Sequence, residues 1–282
     1  MLRASAFQPE YGLIGAGAVN ASLIGRLPGK SRALGPVAGV SYRVASRIAN
    51  TLKAGEAVRT ADALDRVRVI LFHAPSDQFA TLAELLKEAD IGWRDKSLVF
   101  CDCEVPACAA DHFRGLGADV AVLRRCAIPG RVVVEGSGAA LTMAHRMARD
   151  LHMKAIEITP GCGDLFEAAL TIGTGALTPL IDHATSLLRS CGVRDKEALQ
   201  LAGALFGQTV REFSHSGRQS WSWYVREPDP ERVVAHIEAT ENGFQDLLGD
   251  LVLRGFEQFG KHGAAAEAIR ARLVRPARDP KP

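Results

Sequence analysis

Tyr11-Gly-Leu-Ile-Gly15-Ala-Gly17-Ala-Val-Asn20 is the stretch that decides the fold. Residues 11–15 read as a short apolar strand, and residues 18–27 as a helix with apolar side chains at helical spacing. A Gly-x-Gly turn joins them. Gly15 permits a tight turn, and Gly17 lets the backbone approach a pyrophosphate resting against the free N–H groups of a helix N-terminus. The residues expected at the phosphates are Gly15, Ala16, Gly17, Ala18, Val19 and Asn20. Asn20 departs from the small third residue that normally permits close helix–strand packing. A glycine pair alone is a weak signal; its place between a strand and a helix strengthens it.

Working outward, short apolar runs alternate with helical patterns. Strands are expected at 37–41, 67–74, 97–101, 120–123, 132–135 and 155–158. Helices are expected at 42–54, 76–88, 105–114 and 139–151. Strands separated by helices of this length imply a mainly parallel sheet covered on both faces. After Gly161 the pattern changes to helices alone, at 165–190 and 196–215, with two or three more over 231–259 and 264–273. The expected organisation is a Rossmann-like α/β domain over 1–160, an all-helical domain over 161–274 and a basic tail over 275–282.

Composition narrows the class. In 282 residues, 47% are apolar and 23% charged, which excludes a disordered chain and a disulfide-stapled miniature. With 34 basic against 32 acidic residues and no basic stripe outside the tail, a nucleic-acid partner is not expected. No apolar run is long enough to cross a bilayer, and residues 1–11 lack the apolar run of a signal peptide. A cytoplasmic protein with six reduced thiols is therefore expected.

Cofactor choice turns on the end of the second strand. An acidic residue there would bind the adenosine ribose 2′-hydroxyl of NAD. Here the chain reads Gly39-Val-Ser41-Tyr42-Arg43, with Arg47 one helical turn on. Ser41, Tyr42, Arg43 and Arg47 suit a 2′-phosphate, since the planar guanidinium fork matches phosphate oxygens. NADP is expected over NAD. The plainer reading leaves Arg43 and Arg47 as exposed helix residues.

The sequence resembles a bacterial family that pairs a Rossmann-like NADP-binding domain with a helical C-terminal domain of unknown function. That family groups with the 3-hydroxyisobutyrate and 6-phosphogluconate dehydrogenases, the pyrroline-5-carboxylate reductases and the deazaflavin-linked NADP oxidoreductases. The resemblance rests on Gly12-Leu-Ile-Gly-Ala-Gly17, Ser41-Tyr-Arg43, His73-Ala-Pro-Ser-Asp77, Val134-Glu-Gly-Ser137, Phe166-Glu-Ala-Ala169, and Arg226-Glu-Pro-Asp229 with His236. It implies that His73, Ala74, Pro75 and Asp77 line the cofactor cleft, and that Cys101-Asp102-Cys103 lies near the nicotinamide. It also implies helical-domain homodimers.

The chain departs from the resemblance where catalysis would be carried. The position of the superfamily's lysine is Glu167. The usual His-Pro pair is replaced within Arg124-Arg-Cys-Ala-Ile-Pro129, and a Ser-Gly segment by Asp102-Cys-Glu104. The candidate catalytic groups are Glu167, Asp102 and His73, and the candidate substrate contacts Arg226 and His236. Each has a plainer reading: Glu167 a solvated helix carboxylate, Arg226 a brace for its own loop, His236 a packed histidine. Asp164 is expected to N-cap the helix after Gly163. Cys101, Cys103 and Cys108 with His112 lack the paired spacing of a zinc site, so no metal is expected. Trp221, Trp223 and Tyr224 alternate and suit a lid over an apolar substrate or, by preference, a subunit contact. The expected function is NADP-dependent hydride transfer to or from a small organic acid or imine. The alternative is a non-catalytic NADP-binding sensor or scaffold that kept the fold.

Overall fold

Eight strands form one sheet in the computed structural model, which describes residues 10–217, 229–240, 242–259 and 263–273. In chain order they are β1 (Tyr11–Gly15), β2 (Leu34–Ala38), β3 (Glu56–Ala57), β4 (Val69–His73), β5 (Ser97–Cys101), β6 (Asp119–Arg125), β7 (Arg131–Gly136) and β8 (Lys154–Glu157). Across the sheet the order is β3-β2-β1-β4-β5-β6-β7-β8. Every neighbouring pair is parallel except β6 and β7. The exception has a local cause. Only residues 126–130 join β6 to β7, too few for the crossover a parallel pair needs.

Side chains alternate across the sheet into two cores. Leu13, Leu71, Val99, Leu123 and Val132 face one side. Ile14, Ile70, Phe72, Leu98, Phe100 and Val122 face the other. After two four-residue helices, α1 (Leu23–Arg26) and α2 (Lys30–Ala33), the first face is covered by α3 (Tyr42–Leu52). The second is covered by α4 (Ser76–Glu88) and α5 (Ala107–Gly115). Further along, α6 (Gly138–Asp150) returns to the first face through Ala140, Ala144 and Met147. Five aromatics form one cluster on the second face. Phe72 lies 5.0 Å from Phe100 and 5.1 Å from Phe79, and Phe113 packs on Trp93 at 4.8 Å between ring centres. This tilted ring cluster fixes β4 and β5, whose ends carry the candidate site.

Two expectations are corrected here. The helix expected over 18–27 is broken into a 3₁₀ turn (Val19–Ala21) and α1. Ser22 between them is extended; its hydroxyl donates to the Val19 carbonyl at 2.6 Å and accepts from Ile24 N–H. Such local bonding competes with the helix ladder. The second strand begins at Leu34 and ends at Ala38, so Gly39–Ser41 is loop, not strand. The edge strand β3 was not anticipated.

The chain divides into two compact units, Met1–Leu170 and Thr171–Pro282. At the end of the first, α7 (Gly163–Thr171) begins one residue before Asp164, which lies in its first turn rather than at its cap. In the second, a π-turn (Ile172–Ala176) precedes α8 (Leu177–Ser190) and α9 (Asp195–Ser216). There follow α10 (Pro230–Glu238), α11 (Asn242–Phe259) and α12 (Gly263–Leu273), packed around Val233, Ile237, Phe256 and Ile269. The two or three helices expected over 231–259 and 264–273 are three. Among the described residues no strand follows Glu157. Trp221, Trp223, Tyr224 and the basic tail lie outside the described residues.

Candidate functional site

The glycine turn is built as a close backbone approach. Gly17 is left-handed (φ 70°), and a Cβ there would stand 3.1 Å from Pro75 Cδ. Both conditions demand glycine. Ala16 N–H donates to the His73 carbonyl at 3.0 Å, which ties the turn to the end of β4. Ala16 and Val19 bury their side chains, while Gly17, Ala18 and Asn20 are exposed. The turn therefore shows backbone, not side chain, at the carboxyl edge of the sheet, the edge where ligands of such sheets bind.

Ser41 caps α3, its hydroxyl accepting from Val44 N–H at 3.3 Å. Tyr42, Arg43 and Arg47 are exposed on the first turns of that helix. Arg59, which sequence reasoning missed, holds its guanidinium 5.1 Å from the centre of the Tyr42 ring. No pattern in the chain linked two residues from different elements.

At the ends of β4, β5 and β6 an open cleft of about 260 Å³ is lined by Ala74, Pro75, Ser76, Asp102, Cys103, Glu104, Arg124, Arg125, Glu167 and Leu170. His73 stands at the end of β4, with Nδ1 2.8 Å from the Cys101 carbonyl. A carbonyl can only accept, so Nδ1 carries the hydrogen. Asp77 is exposed in the first turn of α4. Burial pushes the Cys103 thiol up to about 12 and the Cys101 thiol well above its usual range, so neither is a thiolate.

Asp102 is committed to structure on both oxygens. Oδ2 accepts from Leu23 N–H at 2.8 Å, the first donor of α1 after the Ser22 break. Oδ1 accepts from Arg125 N–H at 3.2 Å and lies 3.1 Å from its Nε. The side chain is 3% exposed, and the residue is left-handed (φ 51°).

A charge cluster that the sequence did not reveal lies beneath the cleft. Arg124 on β6 donates from Nη1 to Glu135 Oε2 on β7 at 3.1 Å, and both are buried. Its Nε lies 3.3 Å from Glu167 Oε1 outside hydrogen-bonding geometry. Glu135 Oε1 also accepts from Gly161 N–H at 2.8 Å. A Cβ on Gly163 would come within 2.8 Å of Glu135 Oε2 and 2.9 Å of Arg124 Nη2. The buried pair thus fixes the start of α7, and with it Glu167.

The structure gathers His73, Ala74, Pro75, Asp77, Cys101, Asp102 and Glu167 at one edge of the sheet in the first unit. His236 is exposed on α10 in the second unit, opposite the face that buries Val233 and Ile237. Arg226 lies outside the described residues. Among the described residues no group of three or more His, Cys, Asp or Glu side chains is placed to hold a metal. No described helix is long and apolar enough to cross a membrane.

No family model and no curated protein matches the sequence. Solved structures do share the fold. An imine reductase from Aspergillus terreus, in complex with NADPH4 and dibenz[c,e]azepine, is 17% identical. Its TM-score is 0.67, with 94% of this chain and 99% of that one covered. An imine reductase from Myxococcus stipitatus in complex with NADP+ is 17% identical, with TM-score 0.62 and coverage of 95% and 100%. A V8 variant of a Myxococcus stipitatus imine reductase, in complex with NAD+, is 16% identical, with TM-score 0.64 and coverage of 95% and 99%. The likeness is one of fold: a Rossmann-like sheet followed by helices.

Proposed function

We propose that the protein binds NADP(H) and reduces a small imine, received as the iminium cation. The observation that carries the cofactor reading is Gly17: left-handed, closed against Pro75, and backbone-exposed at the strand ends. The fold shared with enzymes crystallised with NADPH4 and NADP+ supports it. In this reading Gly15–Val19 hold the pyrophosphate, Ser41 and Arg43 the adenosine end, and His73–Pro75 flank the nicotinamide half. The nicotinamide supplies the hydride.

The choice of an imine over an organic acid rests on charge. The cleft presents three carboxylates (Asp102, Glu104 and Glu167) to two guanidinium groups (Arg124 and Arg125). Glu135 behind the cleft takes Arg124, and Asp102 within it takes Arg125, which leaves the charges of Glu104 and Glu167. A carboxylate substrate meets an excess of like charge, whereas an iminium is attracted. The cation arrives already protonated, so its carbon accepts hydride without a protein acid. That accounts for a site with no lysine at position 167. Glu167, steadied beside Arg124, faces the developing amine, and Glu104 adds to the field. These charged groups at the cleft favour an enzyme over a sensor. Homodimerisation belongs to the same proposal: α9 exposes Leu199, Leu205, Val210 and Phe213.

Fluorescence titration with NADPH and NADH tests the cofactor, and no binding of either ends the reading. A panel of cyclic imines and 2-oxo acids, followed by nicotinamide absorbance, tests the substrate. Turnover of imines alone is expected; turnover confined to the acids overturns the assignment.

A further inference from the structure

We propose that Arg59 is a further arginine of the cofactor's 2′-phosphate site, working with Arg43 to set the preference for NADP over NAD. The inference rests on the reading of the first unit as a dinucleotide-binding domain, and adds a residue that neither the glycine turn nor the loop after β2 contains.

The edge strand supplies the placement. β3 runs parallel to β2 with Pro36 opposite Glu56 and Val37 opposite Ala57, and Val58 N–H donates to the Val37 carbonyl at 2.9 Å. Arg59 follows directly, so it leaves the sheet at the carboxyl edge where Gly39 leads into Ser41-Tyr42-Arg43. The two segments then meet. The Arg59 guanidinium sits 5.1 Å from the Tyr42 ring centre, and Tyr42 is 48% exposed.

The geometry of that contact leaves donors available. A guanidinium held over a ring by cation–π attraction still has five N–H donors to offer an anion. Neither Arg59 nor Arg43 has an ion-pair partner among the described residues. The nearest following carboxylate, Asp62, is engaged elsewhere, accepting from Asp90 N–H at 2.9 Å. No acidic residue occupies 38–43, where one would bind the ribose hydroxyl of NAD and repel a phosphate. A phosphate dianion at this edge therefore meets Arg43 in the first turn of α3 and Arg59 after β3, the latter already held over Tyr42. A bare 2′-hydroxyl offers them an acceptor oxygen but no charge.

The test is cofactor affinity of the full chain, measured by fluorescence titration with NADPH, NADH, 2′,5′-ADP and 5′-AMP. In Arg59→Gln the dissociation constant for NADPH and for 2′,5′-ADP should rise about tenfold, as expected for one lost charge-assisted contact. NADH and 5′-AMP should be unaffected. Arg59→Lys, which keeps the charge without the fork, should fall between. Equal weakening of phosphorylated and unphosphorylated ligands, or no change in any, overturns the role of Arg59. If the unaltered chain binds none of the four, the dinucleotide reading itself fails and Arg59 falls with it.

Discussion

Arg124 Nη1 and Glu135 Oε2 lie 3.1 Å apart, with both side chains 7% exposed. Each is the charge that makes the other tolerable away from water. Removing Arg124 leaves Glu135 an uncompensated buried ion, so Arg124→Met should cost about 3–5 kcal/mol, and Glu135→Leu less, because Arg124 keeps Glu167 3.3 Å away. The double replacement removes both charges and should recover most of that loss. Urea unfolding of the three variants measures it; single variants as stable as the double would show that the two charges are independent.

Gly17→Val should prevent cofactor binding. The left-handed backbone (φ 70°) and the 3.1 Å approach to Pro75 both reject a side chain. The strain should cost about 1–3 kcal/mol. Thermal unfolding reads the strain, and NADPH titration reads the site.

Glu167→Gln should lower kcat/KM for a cyclic imine about 10- to 100-fold, the range of one charge-assisted contact. NADPH affinity should stay unchanged. Glu104→Gln, at an exposed position beside Ser76, should have the smaller effect. Steady-state kinetics of both variants, with cofactor titrations alongside, separates the two contributions.

The thiols should divide by burial. Cys108 and Cys191 are exposed and should be alkylated by iodoacetamide at pH 8; Cys101 and Cys103 are buried and should react only on unfolding. The folded Cys103 thiol stands at about 12 against an ordinary 9.0. A raised folded value means that its contribution is fully present below pH 9 and is lost as pH rises toward 12. Cys103→Ala should flatten stability over that alkaline window, measured by denaturant unfolding at stepped pH.

Leu205→Glu should shift the protein toward monomer. Leu205 is 52% and Phe213 53% exposed on the same long helix, α9. Light scattering on the eluting protein reports the mass directly, and an unchanged mass would place any dimer contact elsewhere.

Much of the first unit was legible because local signals agreed. Residues 76–88 and 97–101 were read with the boundaries the structure shows, since apolar period and flanking breakers coincide there. The glycine turn was legible for the same reason. The first helix was misread because the competition at Ser22 is a hydroxyl geometry, invisible to apolar spacing. β2 was displaced because Gly35 and Pro36 look like turn residues, yet pairing with β1 and β3 carries the strand through them. The charge cluster was illegible in principle. Arg124 and Glu135 are 11 residues apart, and only the β6–β7 pairing brings them together. The bonds by which the Asp102 carboxylate ties α1 and β6 to the end of β5 were equally hidden, since its partners lie 79 and 23 residues away.

The broken first helix changes what kind of grip the turn can exert. An unbroken helix projects aligned peptide dipoles that act over several ångströms, whereas here the ladder restarts at Ser22 and its first donor is already taken by Asp102. An anion docking on the turn is met only by adjacent N–H groups other than that of Ala16, which donates to the His73 carbonyl. Such a cradle discriminates by fit at contact range, so small changes in the roof formed by Pro75 should matter more there than changes in distant surface charge.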